Sequence, residues 1–300
     1  MKISVQTLIL TVTCFIFLIS CETVIDMKLP EQPPKLVVNC FFTPDSIIML
    51  HLSKSQFVLK NEQIKPVIDG DVLLYENGSF IGKLTHLNKG FYYLPGFLPK
   101  ENKQYTINAS SDALKSVEAK DTVPSKPIIN RIELSSSYYE GQSYKDFIVY
   151  INDNPSVENY YMVSLIGKRY EYIYDTLTYN IIDSVEVSEP IGFVSQDKVF
   201  EEKLGGTNSV FSDKLFNGKI YPLRISVSEY LFDETSYMGY FEISIILKNI
   251  SQSFAKYLIT YANNSYSDPF SQPVQVFTNV KNGFGIFAGY SSTISSVKIR

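Results

Sequence analysis

Histidine and cysteine, the usual ligands of zinc, are scarce in this chain. Two histidines and three cysteines occur among 300 residues. His51 sits in an alternating stretch and His86 beside a turn. With no HExxH or paired-histidine spacing, a histidine zinc site is not expected. No GxSxG, Walker or GxGxxG element is present. Gly283-Phe284-Gly285 is the nearest approach, and it reads as a strand turn or close backbone contact rather than a phosphate cradle. Asp69/Asp71 and Glu201/Glu202 could serve acid–base or calcium chemistry, but linear spacing does not bring carboxylates together in space. Asp69-Gly70-Asp71 lacks the further ligands of an EF-hand loop and reads as a solvated turn. No catalytic residue, cofactor or metal is expected, and the chain is not read as an enzyme.

Residues suited to contact are better represented. There are 22 tyrosines and 20 phenylalanines and no tryptophan. In RYEYIYD, Tyr170, Tyr172 and Tyr174 alternate and so share one face of a strand. With Tyr160, Tyr161 and Tyr179 they make a candidate contact surface, since tyrosine offers amphipathic area at low entropic cost. The same alternation fits a β core whose hydroxyls reach the rim. The pattern Asp-(Ser/Thr)-apolar occurs at Asp45-Ser46-Ile47, Asp121-Thr122-Val123, Asp175-Thr176-Leu177 and Asp183-Ser184-Val185. It is similar to the O-glycosylation sequon of the Bacteroidota, which makes Ser46, Thr122, Thr176 and Ser184 candidate glycan acceptors.

Cys21 follows an apolar run. Lys2 is the only charge before Glu22, and twelve mostly apolar residues occupy positions 8–19. That length suits a signal-peptide core and is too short for a permanent span. The run ends Leu18-Ile19-Ser20-Cys21, which resembles the bacterial lipobox. There the thiol receives a diacylglycerol, the chain is cut before the cysteine, and the new amine is acylated. Cys21 is therefore the expected lipidation site, and more than one acyl chain holds a protein stably where a single chain does not. Cys14 would leave with the signal. Cys40 would then have no partner except Cys21, so no disulfide framework is expected, and Cys40 reads as a small core residue.

These residues must be carried by strands. Positions 1–20 read as signal peptide and 21–34 as a lipidated tether, extended by Pro30, Pro33 and Pro34. From residue 35 short β-rich runs follow one another, and Asn77-Gly78 between two apolar runs signals a hairpin. Their spacing suggests an antiparallel sandwich over 35–123. Two prolines in residues 121–127 mark a boundary, and 124–300 reads as a larger β-rich domain. It holds one helix near 251–263, with Ser251 as cap and Phe254, Tyr257, Leu258 and Tyr261 at helical spacing. The expected fold class is mainly β. Hydrophobic content of 45% excludes bulk disorder. A formal net charge of −4 with no basic stripe gives no reason to expect nucleic acid as a partner. No second apolar run follows, so the expected anchor is lipid alone.

The mature sequence resembles one family throughout. The features are the lipobox cysteine, the proline-bearing tether, LVVNCFF, the hairpin unit, FSDKLFNGKIYPLRI at 211–225 and DPFSQPVQVFTNVKNGFGIFAGYSS at 268–292. In the last segment Pro269, Pro273, Asn279, Asn282-Gly283, Gly285-Ile286-Phe287 and Gly289 fall as that family has them. It looks like the Bacteroidota lipoprotein family designated domain of unknown function 4249. The resemblance implies an immunoglobulin- or transthyretin-like first sandwich. It also implies an outer-membrane lipoprotein, facing outward and often encoded beside a TonB-dependent transporter. No catalytic residues are established for the family, so none carries over. One departure is that only Glu22 adjoins Cys21, with Asp26 further on, where many surface-exported lipoproteins have an acidic cluster. The expected function is a non-catalytic accessory or ligand-capturing partner of such a transporter, with a small-molecule or polymer cargo. The alternatives are a structural or adhesive envelope sandwich without a small ligand, and a carboxylate-based hydrolase. A concave, polar-lined pocket within 124–300 would separate the first two.

Overall fold

The computed structural model describes residues 32–57, 63–200, 208–233, 239–265 and 275–299. Pro34–Arg300 is one compact unit. Its strands in chain order are β1 (Leu36–Phe42), β2 (Met49–Lys54), β3 (Lys65–Pro66), β4 (Asp71–Glu76), β5 (Ser79–Lys83), β6 (Thr85–Asn88), β7 (Phe91–Tyr93), β8 (Gln104–Ser111) and β9 (Leu114–Thr122). They continue as β10 (Ile128–Tyr139), β11 (Gln142–Asn152), β12 (Tyr160–Tyr174), β13 (Ile181–Ile191), β14 (Asn208–Ser212), β15 (Ile220–Ser228), β16 (Glu242–Ile250), β17 (Val280–Lys281) and β18 (Phe284–Lys298). Helix α1 is Gln252–Ser265. The chain is mainly β, with several sheets and an α-helix near its C-terminal end.

Two cores form because the strands alternate. In the first, Leu36, Val38, Cys40 and Phe42 of β1 point inward with Leu50 and Leu52 of β2. They face Val72, Leu74, Tyr105, Ile107, Val117 and Ala119 from the sheet ordered β17-β9-β8-β4-β5. Cys40 is wholly buried there, and burial pushes its thiol far above the usual range. The β4–β5 hairpin turns on Asn77 and Gly78, at φ 48° and 84°, the left-handed pair that a tight hairpin requires. In the second core Phe147, Val149, Ile151, Leu223, Ile225 and Val227 come from the sheet β10-β11-β15. They pack on Tyr161, Val163, Leu165, Ile243, Ile245 and Leu247 of β12 and β16.

One long sheet, ordered β13-β12-β16-β18-β1-β2-β7-β6, contributes to both cores. Residues up to Val123 line the first core and residues from Ile129 the second, but the end of the chain crosses back. There β18 pairs with β1 in parallel, Val38 opposite Gly285 and Cys40 opposite Phe287, and Val280 and Phe287 complete the first core. Glycines permit that approach. A Cβ on Gly283 would lie 2.5 Å from the Leu36 carbonyl oxygen, and one on Gly285 would strike the Val38 carbonyl.

Helix α1 covers part of the outer face of the long sheet. Phe254 and Ala255 bury against Met162, Ile250, Ile286 and Ala288, and the Phe254 and Phe41 rings lie 4.6 Å apart. The Ser251 hydroxyl accepts from the Phe254 amide at 3.1 Å, the cap expected of that serine. Tyr261, at the end of the apolar stripe, is half exposed.

Candidate functional site

Cys21 and the Glu201/Glu202 pair lie outside the described residues. Asp71 opens β4 rather than lying in a turn, and it forms an exposed ion pair with Lys83 at 3.0 Å. The two histidines sit closer than their spacing suggested. The Gly90 amide donates to His86 Nε2 at 3.4 Å, and His51 Nε2 is 3.4 Å from where a Gly90 Cβ would stand. No group of three or more His, Cys, Asp or Glu side chains able to hold a metal occurs among the described residues. The most acidic buried cluster has an amide at its centre. Asn159 Nδ2 meets Asp153 Oδ1 and Asp213 Oδ2, each at 3.2 Å. Tyr161 donates to Asp153 at 2.6 Å, and burial raises the Asp213 carboxyl. Among the expected glycan acceptors, Ser46, Thr176 and Ser184 are exposed and Thr122 is half-buried.

Tyr170, Tyr172 and Tyr174 lie on β12, which outruns its support. Residues 160–168 of β12 are flanked by β16, whose pairing ends at Lys168 opposite Glu242. Beyond that point β12 has only β13 beside it. The burial alternation stops there too: residues 161–169 alternate, apart from the buried Met162, and 170–174 are all exposed. Tyr170, Tyr172 and Tyr174 are 46%, 49% and 49% exposed, so they do not belong to a core. The base of this arm is clasped. Lys168 bridges Glu186 at 3.1 Å and Glu242 at 3.3 Å. Arg169 meets Glu189 at 2.7 Å, and Tyr170 stacks on Phe241 with ring centres 4.7 Å apart. At the tip Asp175 accepts from the Thr178 amide at 2.7 Å and its hydroxyl at 2.8 Å. Those bonds hold the Asp175 carboxyl below its usual range. Ile173, Leu177, Tyr179, Ile181, Ile182 and Val185 are exposed around it. Glu171, Asp175, Asp183 and Glu186 make the arm acidic, with no basic residue from 170 to 187.

A second site was missed in the sequence because its parts are far apart in the chain. It is a concavity of about 320 Å³ on the outer face of the β10-β11-β15 sheet. Its lining includes Tyr138, Tyr139, Tyr144, Gln196, Arg224 and Ser226. Asp146 is fully buried beneath it. That carboxylate accepts from Arg224 Nη1 at 2.8 Å, the Ser226 hydroxyl at 2.6 Å and the Ser137 hydroxyl at 2.9 Å. Register explains the convergence, since Asp146 lies directly opposite Ser135 on β10 and Ser226 on β15. The residues around Ser195 form the other wall. Val194 bridges to Ser226, and the Ser195 hydroxyl donates to the Arg224 carbonyl at 2.6 Å. The one sequence signal was Asp146 at the head of the apolar run FIVYI, which marks a carboxylate in need of buried donors.

Comparison with known proteins adds the family. No curated protein matches the chain. Among solved structures, a mutant Salmonella alpha-2-macroglobulin aligns over 75% of this chain at 11% identity with a TM-score of 0.27. The match spans 14% of that chain's length, and a likeness this low carries no argument about the fold. A family model described as a domain of unknown function matches residues 22–296. LVVNCFF, the hairpin unit and the segments 211–225 and 268–292 with their glycines lie within that match, Cys21 stands just before it, and the chain belongs to the domain of unknown function family DUF4249.

Proposed function

We propose that this protein is a surface-exposed outer-membrane lipoprotein, anchored through Cys21. It acts without catalysis as an accessory to a TonB-dependent transporter, capturing ligand and docking on the barrel. The observation that carries the reading is the acidic, tyrosine-bearing arm, whose Tyr172 and Tyr174 are held clear of the core. Rigid aromatic area on a clasped ribbon suits protein contact, because little side-chain entropy is lost when it is covered. A tether also raises the effective concentration of the arm at a partner in the same membrane. The polar concavity beneath Arg224 favours a ligand-capturing protein over a purely adhesive one.

The test is affinity capture from outer membranes solubilised in mild detergent, with the tag at the C-terminus. A stoichiometric TonB-dependent barrel is expected, and it should be lost in the double variant Tyr172→Ser/Tyr174→Ser. A partner-free protein would overturn the docking half of the reading. Radiolabelled palmitate should enter the native chain and not Cys21→Ala, and protease added to intact cells should cut the native protein.

A further inference from the structure

We propose that the concavity over Asp146 is a binding site for a neutral saccharide. This deepens the capture half of the proposed function. It stands on the pocket alone and needs nothing from the arm.

The argument begins with the hydroxyl hydrogens. Ser137 and Ser226 both donate inward to the buried Asp146 carboxylate. With their protons so committed, the two oxygens face the concavity as acceptors. Arg224 supplies the opposite polarity. Its Nη1 is fixed by Asp146, its side chain is 54% exposed, and its Nε and Nη2 have no partner among the described residues. Those two N–H groups form a rigid donor pair of the kind that takes two neighbouring oxygens at once. Donors and acceptors are therefore set side by side on one floor, which matches a ring of hydroxyls that both donate and accept. Tyr138, Tyr139 and Tyr144 supply apolar faces along the rim, against which the C–H face of a sugar can lie.

Charge narrows the class. Asp146 and Asp197 both adjoin Arg224, Asp197 accepting from the Arg224 amide at 3.4 Å. Glu140 lies against Tyr139 and raises its phenol. With the guanidinium already paired to Asp146, and with Asp197 and Glu140 nearby, a phosphate or carboxylate ligand is disfavoured, and the guanidinium itself disfavours a cation. The volume stands near the lower end of small-molecule sites, roughly 300–1,000 Å³, which suits a short saccharide or the end of a longer one.

The experiment is saturation-transfer NMR on the mature full-length protein in detergent. The panel contains neutral hexoses and their short oligomers, glucuronate, galacturonate and inorganic phosphate. At least one neutral saccharide should bind. Tyr138→Ala and Tyr139→Ala, which alter exposed side chains, should each weaken it by up to about tenfold. Arg224→Lys keeps a cation beside Asp146 but removes the fork, and it should weaken binding further. Tyr172→Ser on the arm should leave binding unchanged, which separates this test from failure of the docking reading. The proposal is overturned if no saccharide binds, if uronate or phosphate binds as well as the neutral sugars, or if the tyrosine and arginine variants bind like the native protein.

Discussion

Asp121, the last residue but one of β9, accepts from the Ser251 hydroxyl at the start of α1 and from the Gly289 amide of β18 at 3.0 Å. Burial dominates and pushes its pKa from 3.8 up to about 6, against the pull of those hydrogen bonds. An acid whose folded pKa lies above its unfolded value holds extra protons in the native state. Stability from this group is therefore greatest below about pH 4, falls as pH rises toward 6, and is level above that. A shift of this size corresponds to roughly 3 kcal/mol. Asp213, raised by burial and by its neighbour Asp153, adds a slope of the same sign. In Asp121→Asn an amide oxygen can still accept both bonds, so the variant should lose Asp121's part of the slope. Urea unfolding at a series of pH values from 4 to 7 would show it, and an unchanged slope would mean that Asp121 ionises as it does unfolded. Gly285 is a different case, because its constraint is steric. Its φ is +96° and a Cβ would meet the Val38 backbone. Gly285→Ala should therefore cost more than about 2 kcal/mol in the same assay, whereas Gly78→Ala, with open space around it, should cost only its turn strain.

Among the elements, the arm differs from every other part of the long sheet, because beyond Lys168 it is a two-stranded ribbon with no core beneath it. Isolated ribbons are marginal in water, so its order depends on the clasp at Arg169, Glu189 and Tyr240. Amides in residues 171–185 should exchange with deuterium much faster than those of β16, which has a strand on each side. Exchange as slow as that of β16 would mean the arm is covered in solution. This element also shows where the sequence stops being informative. Alternating tyrosines look the same on a core strand and on a free ribbon, and the difference lies in where β16 ends, some 70 residues away in the chain. Local features were legible because local chemistry decides them. Asn77-Gly78 sets its own turn, and Ser251 caps the helix that its spacing announced. Arg224 and Asp146 were not legible, being 78 residues apart and joined only by strand register.

At the scale of the whole molecule, the two cores are tied by the chain's last long strand. β1 directly follows the proposed tether and is held between β2 on one side and β18 on the other. Phe287 stacks on Phe42 with ring centres 4.4 Å apart, deep in the first core. A fragment of residues 35–123 would thus carry β1 to β9 and still lack β17 and β18, which complete its sheets. β1 would expose a free edge over its full length, and Val280 and Phe287 would be missing from the packing. Loss of one buried Phe alone costs about 3–5 kcal/mol, a large share of what a domain of this size can spare. The fragment should therefore show no cooperative urea transition alone, and a peptide of residues 275–299 added in trans should restore one. If the fragment unfolds cooperatively without the peptide, the first sandwich is self-sufficient and β18 serves only to join it to the second. If the peptide is required, any pull on the proposed anchor reaches a strand that the far end of the chain must be in place to hold.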